Sequence, residues 1–213
     1  LSSIRKHTQD RVIIVSNFTS TLNLLQRYCV RQKFPFLRLD GRTKADVRSK
    51  MVNEFNSDSG SDHLGKQPFV FLLSSKSGGV GLNLIGANRL ILFDSDWNPA
   101  TDRQAMARIH RDGQLKPCFI YRLLLVGSMD EKIYQRQITK IGLSDSLMSN
   151  EAAKDHDVAS SSDTFSQEEL RDVFGYHPNT TCLTHDLLGC ACGGNGKEVQ
   201  TPAEEPSKVE NFT

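Results

Sequence analysis

Apolar residues along the first 125 positions form short continuous runs that are separated by amphipathic stretches. The runs are rich in Val, Ile, Leu and Phe, a composition typical of strands that are buried on both faces of a parallel sheet. Apolar residues recur at helical spacing in residues 19–33 and 43–55. Strands that alternate with helices predict an α/β fold with helices on both faces of the sheet. The predicted strands are residues 11–16, 36–39, 69–73, 89–93 and 118–125.

A third helix is predicted between the last two strands, because Asn98 and Pro99 form an N-cap followed by proline at the first helical position. This helix is expected to carry Gln104, Arg108 and Arg111 on one face, since these residues are four and three positions apart. They follow the carboxyl end of a predicted parallel strand, where such sheets bind their ligands. The two arginines therefore indicate a phosphate site.

A glycine-rich turn, residues 77–81, connects the third and fourth predicted strands. Gly78, Gly79 and Gly81 would let the backbone approach a phosphate or a second domain closely, and Asn83 would orient the turn. The alternative is a tight turn without a ligand.

Three motifs in this region are specific enough to indicate a family. SGGVGLNL begins at residue 77, DSDWNP at residue 94 and QAMARIHRDGQ at residue 104. Their order and spacing resemble motifs V and VI of the Swi/Snf family of DNA-dependent ATPases, in helicase superfamily two. RVIIVSNFTSTL, from residue 11, resembles motif IV of that family, and RLDGRT, from residue 38, resembles the block after it. The resemblance covers residues 11 to about 141 and implies the second of two RecA-like lobes.

For the arginines, the resemblance implies a role in ATP hydrolysis. Arg108 and Arg111 would be arginine fingers aimed at the γ-phosphate of an ATP held on the first lobe, since arginine stays charged and presents a planar fork of donors. The alternative for either arginine is a surface salt bridge with Asp102 or Asp112, which would contribute little. The expected nucleotide-facing residues are Gly79, Gly81, Asn83 and Gln104.

A further set of residues is expected to contact DNA, because a motor that moves along a duplex must grip phosphates without reading bases. Lys76 stands where family members often carry arginine, so the charge is kept but the bidentate geometry is lost. Trp97 aligns with a family position near DNA; the alternative is a core aromatic between the sheet and the next helix. The expected DNA-contacting residues are Asn17, Arg42, Ser75, Lys76, Ser77 and Trp97.

Residues 60–66 spell G-x-x-x-x-G-K, the start of a P-loop, but the Ser or Thr that would bind Mg²⁺ is replaced by Gln67. We interpret this match as chance in a polar loop. No other P-loop occurs in the sequence, so ATP and Mg²⁺ are expected to be held mainly by a first lobe in a longer protein. The chain alone is expected not to hydrolyse ATP.

Charge divides the sequence into two parts. Residues 1–150 carry 22 basic and 13 acidic residues, a net charge of +9, whereas residues 151–213 carry 4 basic and 12 acidic residues, a net charge of −8. The basic part favours a polyanionic partner such as double-stranded DNA. No run is long and apolar enough to span a membrane, and no membrane partner is expected. The five cysteines do not form a disulfide framework, which fits an intracellular compartment.

Five parts are expected along the chain. Residues 1–126 would be the RecA-like lobe, and residues 127–149 resemble the brace helix of the family. Residues 150–163 are predicted to be a linker, residues 164–196 a small zinc-binding segment and residues 197–213 a disordered tail.

The zinc prediction depends on a cluster near the end of the chain. Cys182, His185, Cys190 and Cys192 follow the pattern C-x2-H-x4-C-x-C, and four such ligands can form a tetrahedral structural Zn²⁺ site. His177 could replace His185 as a ligand. The alternative is a reduced cysteine loop without metal.

The motifs after the last strand indicate a branch of the family. IYRLL at residue 120, EKIYQRQITKIGL at residue 131 and TCLTHDLLGCAC at residue 181 resemble the eukaryotic recombination-repair translocases, in particular their vertebrate "B" branch. The resemblance implies a nuclear protein that translocates on double-stranded DNA together with a RecA-family recombinase. The alternatives are a lobe of a chromatin-remodelling ATPase, which shares motifs V and VI, or a catalytically dead DNA-binding scaffold.

Overall fold

In the computed structural model, residues 1–57, 67–77, 81–149, 167–178, 180 and 182–188 are described. Five strands lie in this part of the chain: β1 (Val12–Ser16), β2 (Phe36–Leu39), β3 (Val70–Ser74), β4 (Arg89–Leu92) and β5 (Phe119–Arg122). They form one sheet in the order β2-β3-β1-β4-β5, and every neighbouring pair is parallel. The predicted parallel α/β sheet is therefore confirmed.

Helices pack on both faces of the sheet and enclose a core on each. The helices are α1 (Ser2–His7), α2 (Thr19–Arg31), α3 (Ala45–Asn56), α4 (Pro99–Met106), α5 (Met129–Ser149), α6 (Gln167–Val173) and α7 (Leu183–Leu188). One core contains Phe55 of α3 and Ala105 of α4, and the other contains Leu22 of α2 and a contact from Ile4 of α1. None of the helices in the described ranges combines the length and apolarity of a membrane span.

The two central strands fix the position of the candidate site. Every residue of β1 and β3 is buried, and Ser16 lies opposite Ser74 at their carboxyl ends. Because the ends are level, the loops that follow β1 and β3 leave the sheet side by side.

Helix α4 ends earlier than the sequence predicted, so Gln104, Arg108 and Arg111 do not share one helical face. Asn98 caps the helix as expected, since its Oδ1 accepts a hydrogen bond from Ala100 N at 3.0 Å. The helix ends at Met106, and Arg108 N donates a hydrogen bond to Ala105 O at 3.2 Å, as in a turn. The cause is tertiary, because Leu84 N donates to Arg108 O at 3.1 Å and draws the chain towards the core.

A buried polar cluster attaches α5 to the sheet. Arg122 of β5 forms a 2.5 Å ion pair with Asp102 of α4, and Gln137 of α5 donates to the same carboxylate at 2.9 Å. Arg122 also stacks over Tyr134, with its guanidinium carbon 4.7 Å from the ring centroid. The carboxylate of Asp102 therefore binds Arg122 and Gln137. It does not form the surface salt bridge with Arg108 or Arg111 that the sequence left open.

The segment that carries α6 and α7 packs against the start of α5. His177 N donates to Gly127 O at 2.9 Å, and Lys132 forms a 2.9 Å ion pair with Asp172. Gly127 has φ +68°, and a Cβ there would lie 2.2 Å from His177 O, so only glycine fits. The predicted linker 150–163, the predicted tail 197–213 and the P-loop-like residues 60–66 lie outside the described residues.

Candidate functional site

The loops after β1 and β3 are tied together at the carboxyl edge of the sheet. Ser75 N donates to Ser16 O at 3.0 Å, and Ser75 Oγ donates to Asn17 Oδ1. Two of the predicted DNA-contacting residues, Asn17 and Ser75, are thus neighbours. The exposed side chain of Lys76 follows directly.

Asp94 supports this pair, although the sequence analysis gave it no role. Its carboxylate accepts hydrogen bonds from Ser16 Oγ and, at 2.6 Å, from Asn17 N. Asp94 comes one residue after the predicted fourth strand, and a carboxylate at that position was the signal that could have identified it.

Arg48 of α3 connects the loop after β2 with the loop after β3. Its Nε donates to Thr43 O at 2.9 Å and its Nη1 donates to Ser77 O at 3.1 Å. Ser77, which was predicted to contact DNA, is only 9% exposed, so little of its side chain is open to a ligand. Arg42 N donates to Asp40 Oδ1 at 3.0 Å, and this hydrogen bond is the main cause that lowers the pKa of Asp40. The side chain of Arg42 is exposed beside this turn.

Trp97 lies in the connection between β4 and α4 and is 43% exposed. Trp97 is therefore not one of the buried core residues, and its contact with DNA stays a prediction.

The arginine loop, residues 107–114, lies against the end of the glycine turn. Arg111 is exposed, and its Nη1 donates to Gly81 O at 3.0 Å. Gly81 has φ +111°, a conformation that favours glycine. Gly78 and Gly79 lie outside the described residues. The structure thus brings Arg111 and Gly81 together, whereas Gln104 stays exposed on α4.

Arg108 lies in the same loop but is only 6% exposed. Burial, and then the positive charge of Arg111, lower the pKa of the Arg108 guanidinium below its ordinary value. A lowered arginine pKa means that the surroundings disfavour its charged form.

Gln114 fixes the backbone of the arginine loop, and the sequence analysis gave it no role. Its Nε2 lies 2.8 Å from Ala87 O, 3.2 Å from Ile85 O and 3.2 Å from Ile109 O. Its Oε1 accepts a hydrogen bond from Lys116 N at 3.0 Å. Gln114 therefore joins the arginine loop to the segment that follows the glycine turn. Its place at the end of the third motif was the only signal.

Asn83 lies between the glycine turn and the residues Ile85 and Ala87 that Gln114 contacts. Its carbonyl oxygen accepts from Asn56 Nδ2 at 2.8 Å, and Asn56 Oδ1 accepts from Gly86 N at 2.9 Å. A Cβ at residue 86 would lie 2.3 Å from Phe55 O, so the chain passes α3 closely at this point. These contacts hold the end of the glycine turn against α3.

Of the four predicted zinc ligands, Cys182 and His185 are described, and Cys190 and Cys192 lie outside the described residues. The described ranges contain no group of three or more His, Cys, Asp or Glu arranged to hold a metal. Cys182 Sγ donates to Glu131 Oε1 at 3.3 Å, and burial is the main cause that raises the pKa of its thiol. Zinc binding therefore stays a prediction.

Comparison with known proteins defines the class of this chain. Residues 1–113 match the profile described as "Helicase conserved C-terminal domain", which is more than half of the 213 residues. The chain therefore belongs to the helicase C-terminal domain family. A solved structure of the C-terminal part of the Fun30 ATPase domain superposes with a TM-score of 0.56 and 40% identity, covering 63% of this chain and 40% of that chain.

The curated relatives share more of the sequence. The chain is 48% identical over 202 residues to the DNA repair and recombination protein RDH54 of Saccharomyces cerevisiae, which is 95% of this chain and 21% of that protein. It is 50% identical over 192 residues to the DNA repair and recombination protein RAD54B of Homo sapiens, which is 90% of this chain and 20% of that protein. The chain thus spans about a fifth of the length of these relatives. These matches confirm the resemblance predicted from the motifs, to the second lobe of a Swi/Snf-family protein of the recombination-repair branch.

Proposed function

We propose that this chain is the second motor lobe of an ATP-dependent translocase that moves on double-stranded DNA during homologous recombination and repair. The observation that carries the proposal is the exposed guanidinium of Arg111, which is anchored on Gly81 at the end of the glycine turn. Arginine suits a phosphate, because it stays charged and presents a planar fork of donors. The relatives that are named as DNA repair and recombination proteins support the biological setting.

The arginine loop and the end of the glycine turn fit the phosphates of a nucleotide. ATP, held with Mg²⁺ mainly by a first lobe, would supply the transferred phosphoryl group. Arg111 presents its fork towards the facing lobe, while Arg108 contributes a buried charge that an anion would stabilise. Gly79, Gly81, Asn83 and Gln104 would shape and orient the surface around the phosphates.

The loops after β1, β2 and β3 would grip the DNA backbone. Lys76 and Arg42 supply exposed positive charge, and Asn17 and Ser75 supply polar groups fixed by Asp94. Such contacts bind phosphates without sequence preference, as a translocating motor requires. Trp97, which is 43% exposed, would complete the contact surface, whereas the 9% exposure of Ser77 leaves it at most a minor contact.

The remaining partners follow from the proposed role. A first RecA-like lobe of the same protein would carry the P-loop, and a RecA-family recombinase would be the partner in the nucleus. The α5 helix would brace the two lobes. The chromatin-remodelling alternative receives less support, because the names of the curated relatives refer to repair and recombination.

A structural zinc site remains part of the proposal. Cys182 and His185 lie at the start of α7 and within it, next to the α5 helix, and Cys190 and Cys192 would complete the site. Elemental analysis of protein purified without chelator should find about one zinc per chain. Protein without zinc and with reactive thiols at all three cysteines would contradict this part.

Phosphate release and triplex displacement on duplex DNA test the function. The 213-residue chain should bind duplex weakly, with an affinity that falls as salt rises, and should not turn over ATP. The longer protein with its first lobe should hydrolyse ATP only with DNA and should displace a triplex strand from the duplex. Turnover by the 213-residue chain would contradict the single-lobe assignment, and DNA binding by the longer protein without turnover would support the scaffold.

A further inference from the structure

Strand β4 has neighbours on both sides in the sheet, yet only one of its faces is buried. Leu90 and Leu92 are 0% and 1% exposed, whereas Arg89 and Ile91 on the opposite face are partly exposed. In β1 and β3, by contrast, all residues on both faces are buried. Inner strands of parallel sheets are covered on both faces. In the described residues, the helix layer on this side of the sheet therefore stops at β1.

The uncovered region, which we term the open face, is apolar and spans two strands. Ile91 lies opposite Tyr121, and Arg89 lies opposite Phe119. Because successive side chains in a strand point to opposite faces, every second residue of β4 and β5 lies on the same face as Ile91 and Tyr121. The open face consists of Ile91, Phe93, Phe119, Tyr121 and Leu123. Phe93, Phe119, Tyr121 and Leu123 are 39%, 43%, 39% and 46% exposed.

The open face is continuous with the core under α1 and α2. Ile91 packs at the border of that core and lies opposite Ile14 of β1. At the other end, Arg89 stacks on Phe119, with its guanidinium carbon 4.4 Å from the ring centroid, and pairs with Asp10. Helix α5 contacts the opposite side of β5 through Arg122.

We propose that an amphipathic helix of the same polypeptide, from outside residues 1–213, covers the open face beside α1 and α2. This inference rests on the proposed function, in which the chain is one lobe of a longer motor. The relatives leave ample chain for such a helix, since this chain matches only 20–22% of their length. A helix is the element that normally covers a parallel sheet. Pairing of two copies through β5 is disfavoured, because Lys116 and Pro117 precede the strand.

A photo-crosslinker identifies what covers the face. The longer protein with Tyr121 replaced by p-benzoylphenylalanine should form an intramolecular crosslink, and its partners should recur at helical spacing. The same replacement at Tyr28, which is 42% exposed against 39% for Tyr121, is the matched control and should not reach that helix. A crosslink between two copies, or no crosslink at residue 121, would overturn the proposal.

Radical footprinting provides a second measurement that needs no substitution. Modification of Tyr121 should fall roughly fourfold from the 213-residue chain to the longer protein, as its exposed fraction drops from 39% to that of a core residue, below about a tenth. Tyr28 should react equally in both. Equal reactivity of Tyr121 in both proteins would contradict the inference.

A pair of substitutions separates this inference from the proposed function. Leu123→Glu should lower the Tm of the longer protein but leave the Tm of the 213-residue chain unchanged, whereas Leu24→Glu, at a site that is 63% exposed, should change neither. An unchanged Tm for Leu123→Glu in the longer protein would overturn the inference alone. If the wild-type longer protein showed no DNA-stimulated turnover, the proposed function would be contradicted. The crosslink from residue 121 would still form, so the two failures can be told apart.

Discussion

Two buried charges in this molecule have opposite surroundings. Glu131, at the start of α5, is 1% exposed and accepts hydrogen bonds from Gly127 N at 2.8 Å, Thr184 N at 2.7 Å and Thr184 Oγ1 at 2.8 Å. Burial alone would raise the pKa of Glu131, but these donors outweigh it and the pKa is lowered. Arg108, which is 6% exposed, has a lowered pKa because burial and Arg111 both disfavour its charge.

The difference distinguishes a charge with a structural role from one for which we propose a functional role. Glu131 is stabilised in the ionised form by the segment it binds, so its charge holds the α6–α7 segment on α5. The surroundings of Arg108 lower its pKa, and strongly shifted pKa values are more frequent at functional sites than elsewhere. The substitutions below should therefore change stability at one site and activity at the other.

Of the substitutions that compare the two buried charges, Arg108→Met should have the largest effect. Methionine keeps most of the side-chain volume and removes a charge that burial disfavours, so the free energy of unfolding should fall by less than in Glu131→Ala. DNA-stimulated turnover of the longer protein should fall about 10³-fold, since a transition-state charge loses its partner. Steady-state ATPase assays and thermal unfolding measure the two quantities. A marked loss of stability with normal turnover would reverse the assignment of Arg108.

Glu131→Ala should act on stability. Removal of the carboxylate leaves the buried N–H groups of Gly127 and Thr184 without an acceptor, so the attachment of the α6–α7 segment should weaken by roughly 2–4 kcal/mol. Hydrogen exchange in Leu183–Leu188 reports the change. Lys132→Ala is the control, because its partner Asp172 is 57% exposed and the pair should contribute below about 1 kcal/mol. Equal effects of the two substitutions would contradict the central role of Glu131.

Gln114→Ala should lower turnover by about tenfold, because the arginine loop loses its link to Ala87 O and Ile109 O and Arg111 is held less accurately. The KM for ATP should change little. Gln114→Glu should also fail, since a carboxylate cannot donate to these carbonyls. Gln32→Ala, at an exposed position, is the control. Full turnover in Gln114→Ala would show that the loop needs no such support.

The smallest expected effect is the pH dependence of the stability that Glu131 contributes to the α6–α7 segment. The pKa of Glu131 is lowered in the folded state, so its stabilisation is present above the ordinary value of about 4.3 and is lost as the pH falls through the folded value. The advantage of the wild type over Glu131→Gln should therefore narrow from about pH 6 to pH 3. Limited proteolysis of the α6–α7 segment by pepsin and by a neutral protease gives this comparison. A constant difference would contradict the lowered pKa.

The sheet and helices α2, α3, α4 and α5 could be predicted because each depends on local pattern, whereas α1 and α7 were not predicted. Apolar runs predicted all five strands, and Asn98 with Pro99 predicted the start of α4. The end of α4 could not be predicted, because it depends on a bond from Leu84 to Arg108, which are 24 positions apart (108 − 84).

The residues that hold the functional groups in place were not predicted either, because their partners are also distant in the sequence. Asp94 acts on a residue 77 positions away and Glu131 on one 53 positions away. Motifs identified the groups that would meet a ligand, such as Arg111 and Lys76. They did not identify Asp94, Gln114 or Arg48, whose contacts become visible only when distant segments meet.

The most direct test of the central claim is the turnover of the longer protein with Arg111→Ala and Arg111→Lys. Both variants should retain ATP and duplex DNA binding and lose DNA-stimulated turnover by about 10³-fold or more, because lysine keeps the charge but lacks the planar fork. Arg103→Ala, at an exposed position on α4, is the control and should keep normal turnover. Near wild-type turnover in Arg111→Ala would contradict the assignment of this lobe's arginine loop to ATP hydrolysis.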